Sequence, residues 1–253
     1  MSLTGIFIYP VKSLGGISLQ EASFDKFGLQ WDRRWMLVDT NGKMLTQRET
    51  PELCFFTLEQ AQEGFKVSHK KDKEFSEIIP FTPLSKKELS VTVWLDTCIA
   101  YEVSPMLSWS FSGILNQEVR LVYLPEKNER QVDLAYVKEG VLTSFTDGFP
   151  LLLISEASLN LLNSKLEHQV LMERFRPNLV VDELTAHGED DLQEFQIGEA
   201  LFKRVKSCSR CVVTTIDPEK GEKGVEPLKT LASYRLQNKK ITFGQNITLL
   251  KEA

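Results

Sequence analysis

The sequence predicts a mainly β protein with some helices (α+β), built from barrels rather than from a doubly wound parallel sheet. Short stretches that alternate apolar and polar residues recur along the chain, which is typical of half-buried strands. Gly, Pro and Asn-Gly breaks separate these stretches, and two segments carry apolar residues at helical spacing. A doubly wound fold would instead alternate strands with helices throughout.

The first half of the chain contains strand patterns and one short helix. The stretch TGIFIYPVKS alternates and stops at Pro10, and RRWMLVDTNGKMLTQRE is a hairpin signature because positive φ costs little at Asn41-Gly42. Alternation in ELSVTVWLDTCIAYEVS predicts a pair of strands. Apolar spacing in PMLSWSFSGILN predicts a helix over 105–116, and EVRLVYLP returns to strand.

The second half follows the polar stretch PEKNERQVD at 125–133, which is the best linker candidate. Ser155 opens the clearest helix, because Ser155 and Ser158 fit a capping pattern and leucines recur at helical spacing through 155–167. Four later segments are predicted to be strands: PNLVVD, ALFKRVKS, CVVTTID and ITFGQNITLL.

Composition excludes several functional classes. The chain has 253 residues, 42% hydrophobic and 26% charged, which is ordinary for a globular protein. Its net charge of −5, without a long block of like charges, predicts no nucleic-acid partner. The longest apolar runs, such as PLLLI, are far shorter than the roughly 20 residues of a membrane span. The start has no secretory pattern and the four cysteines form no disulfide framework, so we expect no membrane association and a cytoplasmic location.

The two cysteines of SCSRCVVTTIDP, Cys208 and Cys211, admit four interpretations. A structural zinc site needs four ligands, but the other cysteines are isolated and the three histidines have no paired spacing. A thioredoxin-like disulfide needs a following helix, whereas the β-branched VVTTI predicts a strand. The pair could also be structural cysteines at a strand end. The fourth interpretation, a reactive or metal-binding thiolate, is favoured by the cations nearby, which are equally consistent with one solvated strand face: Lys203, Arg204, Lys206 and Arg210.

Three further cationic clusters stand beside small polar residues. Lys12 and Ser13 precede a Leu-Gly-Gly stretch, Arg33 lies in WDRRW, and RFRPNLVV places Arg176 and Asn178 just before a predicted strand. Each cluster alone is most simply a surface ion pair. Together with a thiol, they indicate a pocket for an anionic, hydrogen-bond-rich ligand that carries a soft metal. The chain has no Walker loop, dinucleotide fingerprint, His-Glu-x-x-His motif or Gly-x-Ser-x-Gly elbow to support commoner chemistries.

Seven segments, in this order, carry a resemblance to a known family: YPVKSLGG, DRRWMLVD, FTDGFPLLLISEASL, RFRPNLVV, VKSCSRCVVTTIDP, EPLKTLASYR and FGQN. The chain resembles MOSC-domain proteins with the associated N-terminal β-barrel domain, and is similar to the bacterial relatives of the mitochondrial amidoxime-reducing component. The resemblance extends from about Tyr9 to Asn246. It implies an N-terminal β-barrel-like domain at 1–120 and a MOSC β-barrel domain at 121–253, with a cofactor in the cleft between them.

The resemblance also implies a set of site residues. Cys211 would be the protein ligand of molybdenum in a molybdopterin cofactor, and both Cys211 and Asp147 would be catalytic, while Cys208 would make no metal bond. At the position after Asp147, Gly148 replaces a hydroxyl residue of the mitochondrial proteins, so no side-chain contact is expected there, although a backbone contact is allowed. The implied cofactor-binding set is Lys12, Ser13, Arg33, Asp147, Gly148, Arg176, Asn178, Ser209, Arg210 and Cys211.

The implied reaction is the two-electron reduction of small N-hydroxylated compounds such as amidoximes, hydroxylamines and N-hydroxylated bases. No cysteine follows Cys211, so the ferredoxin module of some bacterial relatives has no counterpart, and we expect electrons from a separate protein of the flavin reductase or ferredoxin type. The alternative function is a carrier of the molybdenum cofactor, or of sulfur on a cysteine, without reductase turnover. A plain β-barrel interaction module is a third class and would bind no metal.

Overall fold

The computed structural model describes residues 1–252, and within them the chain forms seventeen β-strands and three α-helices. The prediction of a mainly β protein with some helices is therefore confirmed. The strands of the first half are β1 (Ser2–Ile8), β2 (Ile17–Leu19), β3 (Phe24–Asp25), β4 (Gly28–Leu29), β5 (Trp35–Val38), β6 (Phe56–Ala61), β7 (Gly64–His69), β8 (Ser76–Pro80), β9 (Glu88–Val93), β10 (Asp96–Glu102) and β11 (Arg120–Tyr123). The later strands are β12 (Leu151–Ser155), β13 (Leu179–Asp182), β14 (Glu194–Ile197), β15 (Ala200–Ser209), β16 (Leu236–Gln237) and β17 (Lys240–Lys251). The helices are α1 (Pro105–Leu115), α2 (Glu156–Asn163) and α3 (Leu228–Ala232).

The largest sheet combines strands from both ends of the chain. Its order is β14-β15-β17-β12-β13-β1-β2, and β16 pairs with β17. Strand β1 is antiparallel to β13, with Ser2 opposite Asp182 and Ile6 opposite Leu179. The first strand therefore ties the start of the chain to the second half, while the domain boundary at 120 stays a prediction.

The first half supplies two further sheets around an aromatic core. One has the order β5-β11-β10-β9 and the other the order β6-β7-β8. Trp35, which is fully buried, packs against Phe65 and Tyr123 at ring separations of 5.5 and 5.2 Å. The same hydrophobic cluster includes Leu153 and Ile247 from the large sheet. One continuous core thus holds the two halves together, and each large side chain in it contributes about 1.5–3 kcal/mol by burial.

The hairpin predicted around Asn41-Gly42 is confirmed. Asp39 N donates to Lys43 O at 2.9 Å, and Gly42 has a φ of +79° at the tip of the turn. The returning arm bridges back at Met44, which lies opposite Val38. The chain then runs directly into residues 46–48, which lie at the cleft described below.

The two longer helices begin where their caps predict. Ser104 Oγ accepts from Leu107 N at the start of α1, and Ser155 Oγ accepts from Ser158 N at the start of α2. The prediction that the second helix extends to 167 is wrong, because α2 ends at Asn163. The Asn163 side chain makes two hydrogen bonds with the Val170 backbone, at 2.9 and 3.0 Å, and these fold the chain back. Among the described residues, no helix combines the length and hydropathy needed to span a bilayer.

The strand predicted for CVVTTID is also wrong. Strand β15 ends at Ser209, and Val212–Thr215 form a short 3₁₀ helix. The Thr214 hydroxyl donates to Cys211 O at 3.0 Å, and the Thr215 hydroxyl donates to Val212 O at 2.8 Å. These local bonds compete with strand pairing, so the threonines favour a tight turn despite their β-branched side chains.

Replacing Gly42 with alanine tests how much the hairpin depends on its turn. A Cβ at Gly42 would lie 2.3 Å from Ser90 O, whereas Gly140, with a φ of +91°, has nothing within 4 Å. Gly140→Ala should cost about 1–2 kcal/mol for its left-handed backbone. Gly42→Ala should cost about 1–3 kcal/mol more because of the added overlap. Urea unfolding of the two variants measures this difference, and equal losses would contradict the close approach.

Candidate functional site

A cleft of about 380 Å³ lies between segments from both halves of the chain. Its walls include residues 12–13, 33 and 46–48 from the first half, and residues around Asp147, Arg176 and Cys211 from the second. The structure thus brings together all the residues of the predicted set: Lys12, Ser13, Arg33, Asp147, Gly148, Arg176, Asn178, Ser209, Arg210 and Cys211. Their individual roles stay predictions.

An ion pair between Lys12 and Asp147 crosses the cleft floor. Lys12 Nζ donates to Asp147 Oδ1 at 2.6 Å and to Phe145 O at 2.8 Å. Lys12 is 7% exposed and burial lowers its pKa, whereas 66% of the Asp147 side chain faces the open cleft. The protein atoms that surround the cleft partly desolvate Asp147 and favour its neutral form, but Lys12, the Trp94 N–H and Arg48 together hold its pKa well below its usual range. The 2.6 Å separation of Nζ and Oδ1 is that of an ion pair, and Phe145 O and the Trp94 N–H give the two side chains one further partner each.

Two arginines of the predicted set share one aromatic ring. The guanidinium carbons of Arg33 and Arg176 lie 4.2 and 4.1 Å from the centre of the Tyr9 ring. Arg33 Nη1 also donates to both carboxylate oxygens of Asp32 and to Asn178 Oδ1 at 3.2 Å. Burial and the neighbouring Arg33 charge lower the pKa of Arg176 to about 10. The hydrogen bonds and the shared ring hold both guanidinium groups in place.

The backbone around the cleft is strained at several positions. Ser13, Arg33, Trp94 and Arg176 have φ values of +70°, +50°, +59° and +54°. A left-handed conformation costs about 1–3 kcal/mol at each residue with a side chain, and such strain clusters at binding sites. Four strained residues on one cleft indicate that their positions serve a ligand.

The two thiols have different surroundings. Cys208 packs at the edge of an apolar cluster that contains Phe175 and Phe243, and burial raises its pKa despite Arg210 nearby. Cys211 precedes the 3₁₀ helix, and its Sγ accepts a hydrogen bond from Arg48 Nη2 at 3.2 Å. All four cysteines are free thiols. Among residues 1–252, no group of three or more His, Cys, Asp or Glu side chains could hold a metal ion, so the zinc interpretation has no support.

The prediction that four cations surround the thiols is half right. Lys206 and Arg210 line the cleft, but Lys203 lies 3.8 Å from Glu194, and Arg204 Nε donates to Gln245 Oε1 at 2.9 Å. The β15–β17 ladder shifts register between Arg204 and Lys206. Such a shift redirects side chains, so spacing along the strand does not predict which cations meet the thiols.

Two residues at the cleft were missed by the sequence analysis. The guanidinium of Arg48 lies 4.2 Å above the Trp94 ring, and Trp94 Nε1 donates to Asp147 Oδ1 at 3.0 Å. The available signal for Trp94 was a tryptophan at the predicted turn between two strands. Arg48 had no local signal beyond its charge, because its contact with Cys211 spans 163 positions.

The cleft retains hydrogen-bonding capacity and positive charge that the chain does not satisfy. Among the described residues, Arg176 Nη2 and Arg210 Nη2 are buried without a hydrogen-bond partner. Buried donors without partners are rare and often mark a ligand site. Asp147 is the one carboxylate on the described walls, against eight cations: Lys12, Arg33, Arg48, Arg174, Arg176, Lys206, Arg210 and Lys240. The cleft therefore fits an anionic ligand rich in acceptors, and Cys211 adds a soft ligand atom.

Comparison with known proteins matches two domain families. Residues 1–118 match the MOSC N-terminal beta barrel domain, and residues 142–253 match the MOSC domain. The chain is 33% identical over 249 residues to mitochondrial amidoxime-reducing component 1 of Mus musculus, covering 91% of this chain and 70% of that protein. It is 36% identical over 246 residues to mitochondrial amidoxime reducing component 2 of Rattus norvegicus, covering 93% and 72%. It is also 31% identical over 278 residues to a molybdenum cofactor sulfurase of Oryza sativa subsp. japonica, covering 96% of this chain but 32% of that protein.

These matches cover both halves of the chain in the order that the motifs indicated. Relatives of both kinds, amidoxime-reducing components and a molybdenum cofactor sulfurase, align along nearly its whole length. The chain belongs to the MOSC-domain family, in the group whose members also carry the MOSC N-terminal beta barrel domain.

Proposed function

We propose that this protein binds a molybdenum cofactor in the cleft and reduces small N-hydroxylated compounds with electrons from a separate protein. The observation that carries the proposal is the convergence of a free thiol, Cys211, with unsatisfied arginine donors on one electropositive cleft. A molybdopterin carries an anionic phosphate, a ring edge rich in hydrogen-bonding groups, and a soft metal. The cleft offers a complement to each of these parts.

The resemblance to the family assigns these residues to parts of the cofactor, and the chemistry of the side chains agrees with the assignment. Cys211 is the metal ligand, because a thiolate suits molybdenum and Cys208 packs at the edge of an apolar cluster. Lys12, Ser13 and Arg33, which line the cleft, would bind the anionic end of the cofactor. Arg176 and Arg210, whose Nη2 groups have no partner among the described residues, would donate to acceptors of the cofactor, together with Asn178 at the ring edge and the backbone of Ser209 and Gly148.

Asp147 serves the substrate as a hydrogen-bond acceptor. When bound, the cofactor supplies two-electron chemistry at the metal, so that R–NHOH with two electrons and two protons gives R–NH₂ and water. Asp147 is ionised and its Oδ1 is occupied by Lys12 and Trp94. Its Oδ2 remains free to accept an N–H or O–H of the substrate and orient it. Lys12 holds a proton at Nζ beside this carboxylate and keeps the pair neutral overall.

A carrier of the cofactor or of sulfur is the second candidate. The observation that favours it is the alignment of 96% of this chain with a molybdenum cofactor sulfurase. The same cleft would then hold the cofactor without turning over an N-hydroxylated substrate. Burial raises the pKa of Cys208, so Cys211 is the better candidate for a persulfide in that case.

Exchanging the two cysteines tests the metal ligand. Cys211→Ser should abolish both bound molybdenum and reduction of an amidoxime, because the other thiol on the described walls of the cleft, Cys208, packs against apolar side chains and has its pKa raised by burial. Cys208→Ser should retain most of both, since that thiol sits against apolar side chains. Molybdenum per chain, measured by mass spectrometry, is the readout. Equal loss from both variants would contradict a single thiolate ligand.

The ionisation of Asp147 predicts a pH profile. An aspartate in the unfolded chain titrates near pH 3.9, and the folded value is lower. The pair with Lys12 thus contributes stability above pH ~3.9, and this is lost only as the pH falls through the lower folded value. The ¹³C signal of the Asp147 carboxyl should remain that of the ionised form at pH ~3.9, where an aspartate in the unfolded chain is half protonated.

Lys12→Met should raise the pKa of Asp147, because it removes the positive charge and the hydrogen bond that stabilise the ionised carboxylate. Lys70→Met is the matched control, since Lys70 pairs with Glu219 on the surface and should leave the Asp147 signal unchanged. A wild-type Asp147 signal that titrates above pH 4 would show that the carboxylate is not held ionised.

The electron supply separates a reductase from a carrier. A chain without a dinucleotide fingerprint should be inert with NADH alone and active with a reduced viologen dye, or with a flavin reductase or ferredoxin. Activity with a protein donor should fall as salt rises past about 0.15 M if the cations of the cleft rim steer docking. Molybdenum-loaded protein that stays inactive with dye and N-hydroxylated substrates would favour the carrier.

A further inference from the structure

Arg48 reaches the thiol of Cys211 from the other half of the chain. Its Nη2 donates to Cys211 Sγ at 3.2 Å. Among the described residues, its guanidinium forms no salt bridge, so its charge is not neutralised by a carboxylate in direct contact. A full positive charge and an N–H dipole therefore point at the sulfur that we assign to the metal.

Three contacts hold Arg48 in this position. The guanidinium lies 4.2 Å above the Trp94 ring, and cation–π contacts of this kind contribute about 0.5–2 kcal/mol. Thr46 Oγ1 accepts from Arg48 N at 3.1 Å, and Lys223 Nζ donates to Arg48 O at 2.6 Å. The hairpin at Gly42 leads directly into this segment. Contacts other than the one with Cys211 therefore hold both the backbone and the side chain of Arg48 in place.

Trp94 extends the arrangement to the second catalytic candidate. Its ring supports Arg48, while its Nε1 donates to Asp147 Oδ1 at 3.0 Å. Trp94 sits between β9 and β10 with a left-handed φ of +59°. That conformation costs about 1–3 kcal/mol in a residue with a side chain. The strained turn therefore places the Trp94 ring in contact with both Arg48, which donates to Cys211, and Asp147.

We propose that Arg48, supported by Trp94, is a positioning residue that orients the Cys211 sulfur and withdraws negative charge from it. Hydrogen bonds and positive charge at a ligand sulfur stabilise the electron-rich state of the metal that it binds. Arg48 thereby raises the reduction potential of the bound metal, and the N-terminal half of the chain sets the redox properties of a site whose ligand lies in the C-terminal half. The inference rests on the proposed function, through the assignment of Cys211 as metal ligand.

The test compares three substitutions in the full-length, molybdenum-loaded protein. Arg48→Ala should move the reduction potential, measured by redox titration with electron paramagnetic resonance, to a more negative value. Arg48→Lys keeps a donor and a charge, so its reduction potential should shift less than that of Arg48→Ala. Arg174→Ala is the matched control, because Arg174 lines the same cleft but donates to Thr214 O rather than to a thiol. Its potential should shift less than that of Arg48→Ala, because the Arg174 guanidinium donates to a carbonyl and not to the ligand sulfur.

Substitutions at Trp94 separate its two contacts. Trp94→Phe retains a ring under Arg48 but removes the N–H to Asp147, so the potential should stay at the wild-type value. Trp94→Leu removes the support as well, and its potential should move in the same direction as that of Arg48→Ala. Thermal melting of each variant shows whether it remains folded, which is expected because Arg48 and Trp94 are both partly exposed.

Each outcome decides the inference. An unchanged potential in Arg48→Ala overturns it, and so does an equal shift in Arg174→Ala, which would reveal a general effect of cleft charge. Greater loss of molybdenum from Arg48→Ala than from Arg174→Ala supports the positioning role, whereas equal loss from both overturns it. Wild-type protein that binds no molybdenum refutes the proposed function itself, and this result is distinguishable from all of the others.

Discussion

The cleft depends on the buried ammonium of Lys12. A charged group removed from water carries a penalty of several kcal/mol unless close partners surround it. Lys12 finds them in Phe145 O and Asp147 Oδ1, so the segment from the second half of the chain must lie against the first loop. Once Asp147 is held there, Trp94 and then Arg48 have a partner to orient against. The position of Arg48 beside Cys211 is thus linked, through Trp94 and Asp147, to the hydrogen bonds that satisfy the Lys12 ammonium.

The same cleft is unfavourable in isolation. Its cations repel one another, several wall residues are strained, and Arg176 and Arg210 each leave a buried donor without a partner among the described residues. The shared core around Trp35 provides the stability that tolerates these features. An anionic ligand would relieve both the repulsion and the unsatisfied donors. Because such a ligand binds the folded chain, it would also shift the folding equilibrium toward the native state.

The features that the sequence predicted correctly depend on residues that are close together in the chain. The Asn41-Gly42 turn and the Ser155 cap depend on neighbouring residues, and both are found where expected. The ordered motifs led to the predicted wall residues, which now lie on one cleft. What failed depends on contacts that spacing does not encode. The segment after Cys211 was predicted to be a strand, but its threonine hydroxyls bond to nearby carbonyls and it forms a 3₁₀ helix. The contact of Arg48 with Cys211 joins segments that are distant in the sequence.

The placement of β1 has a consequence for biosynthesis. Residues 2–8 leave the ribosome well before their partner strand Leu179–Asp182 is made. At about 5–20 residues per second, the interval is roughly 10–35 seconds. During that time β1 can pair with β2, yet its other edge stays open and could recruit a foreign strand. A nascent chain of this protein therefore has to protect its first strand until the second half arrives to cover it.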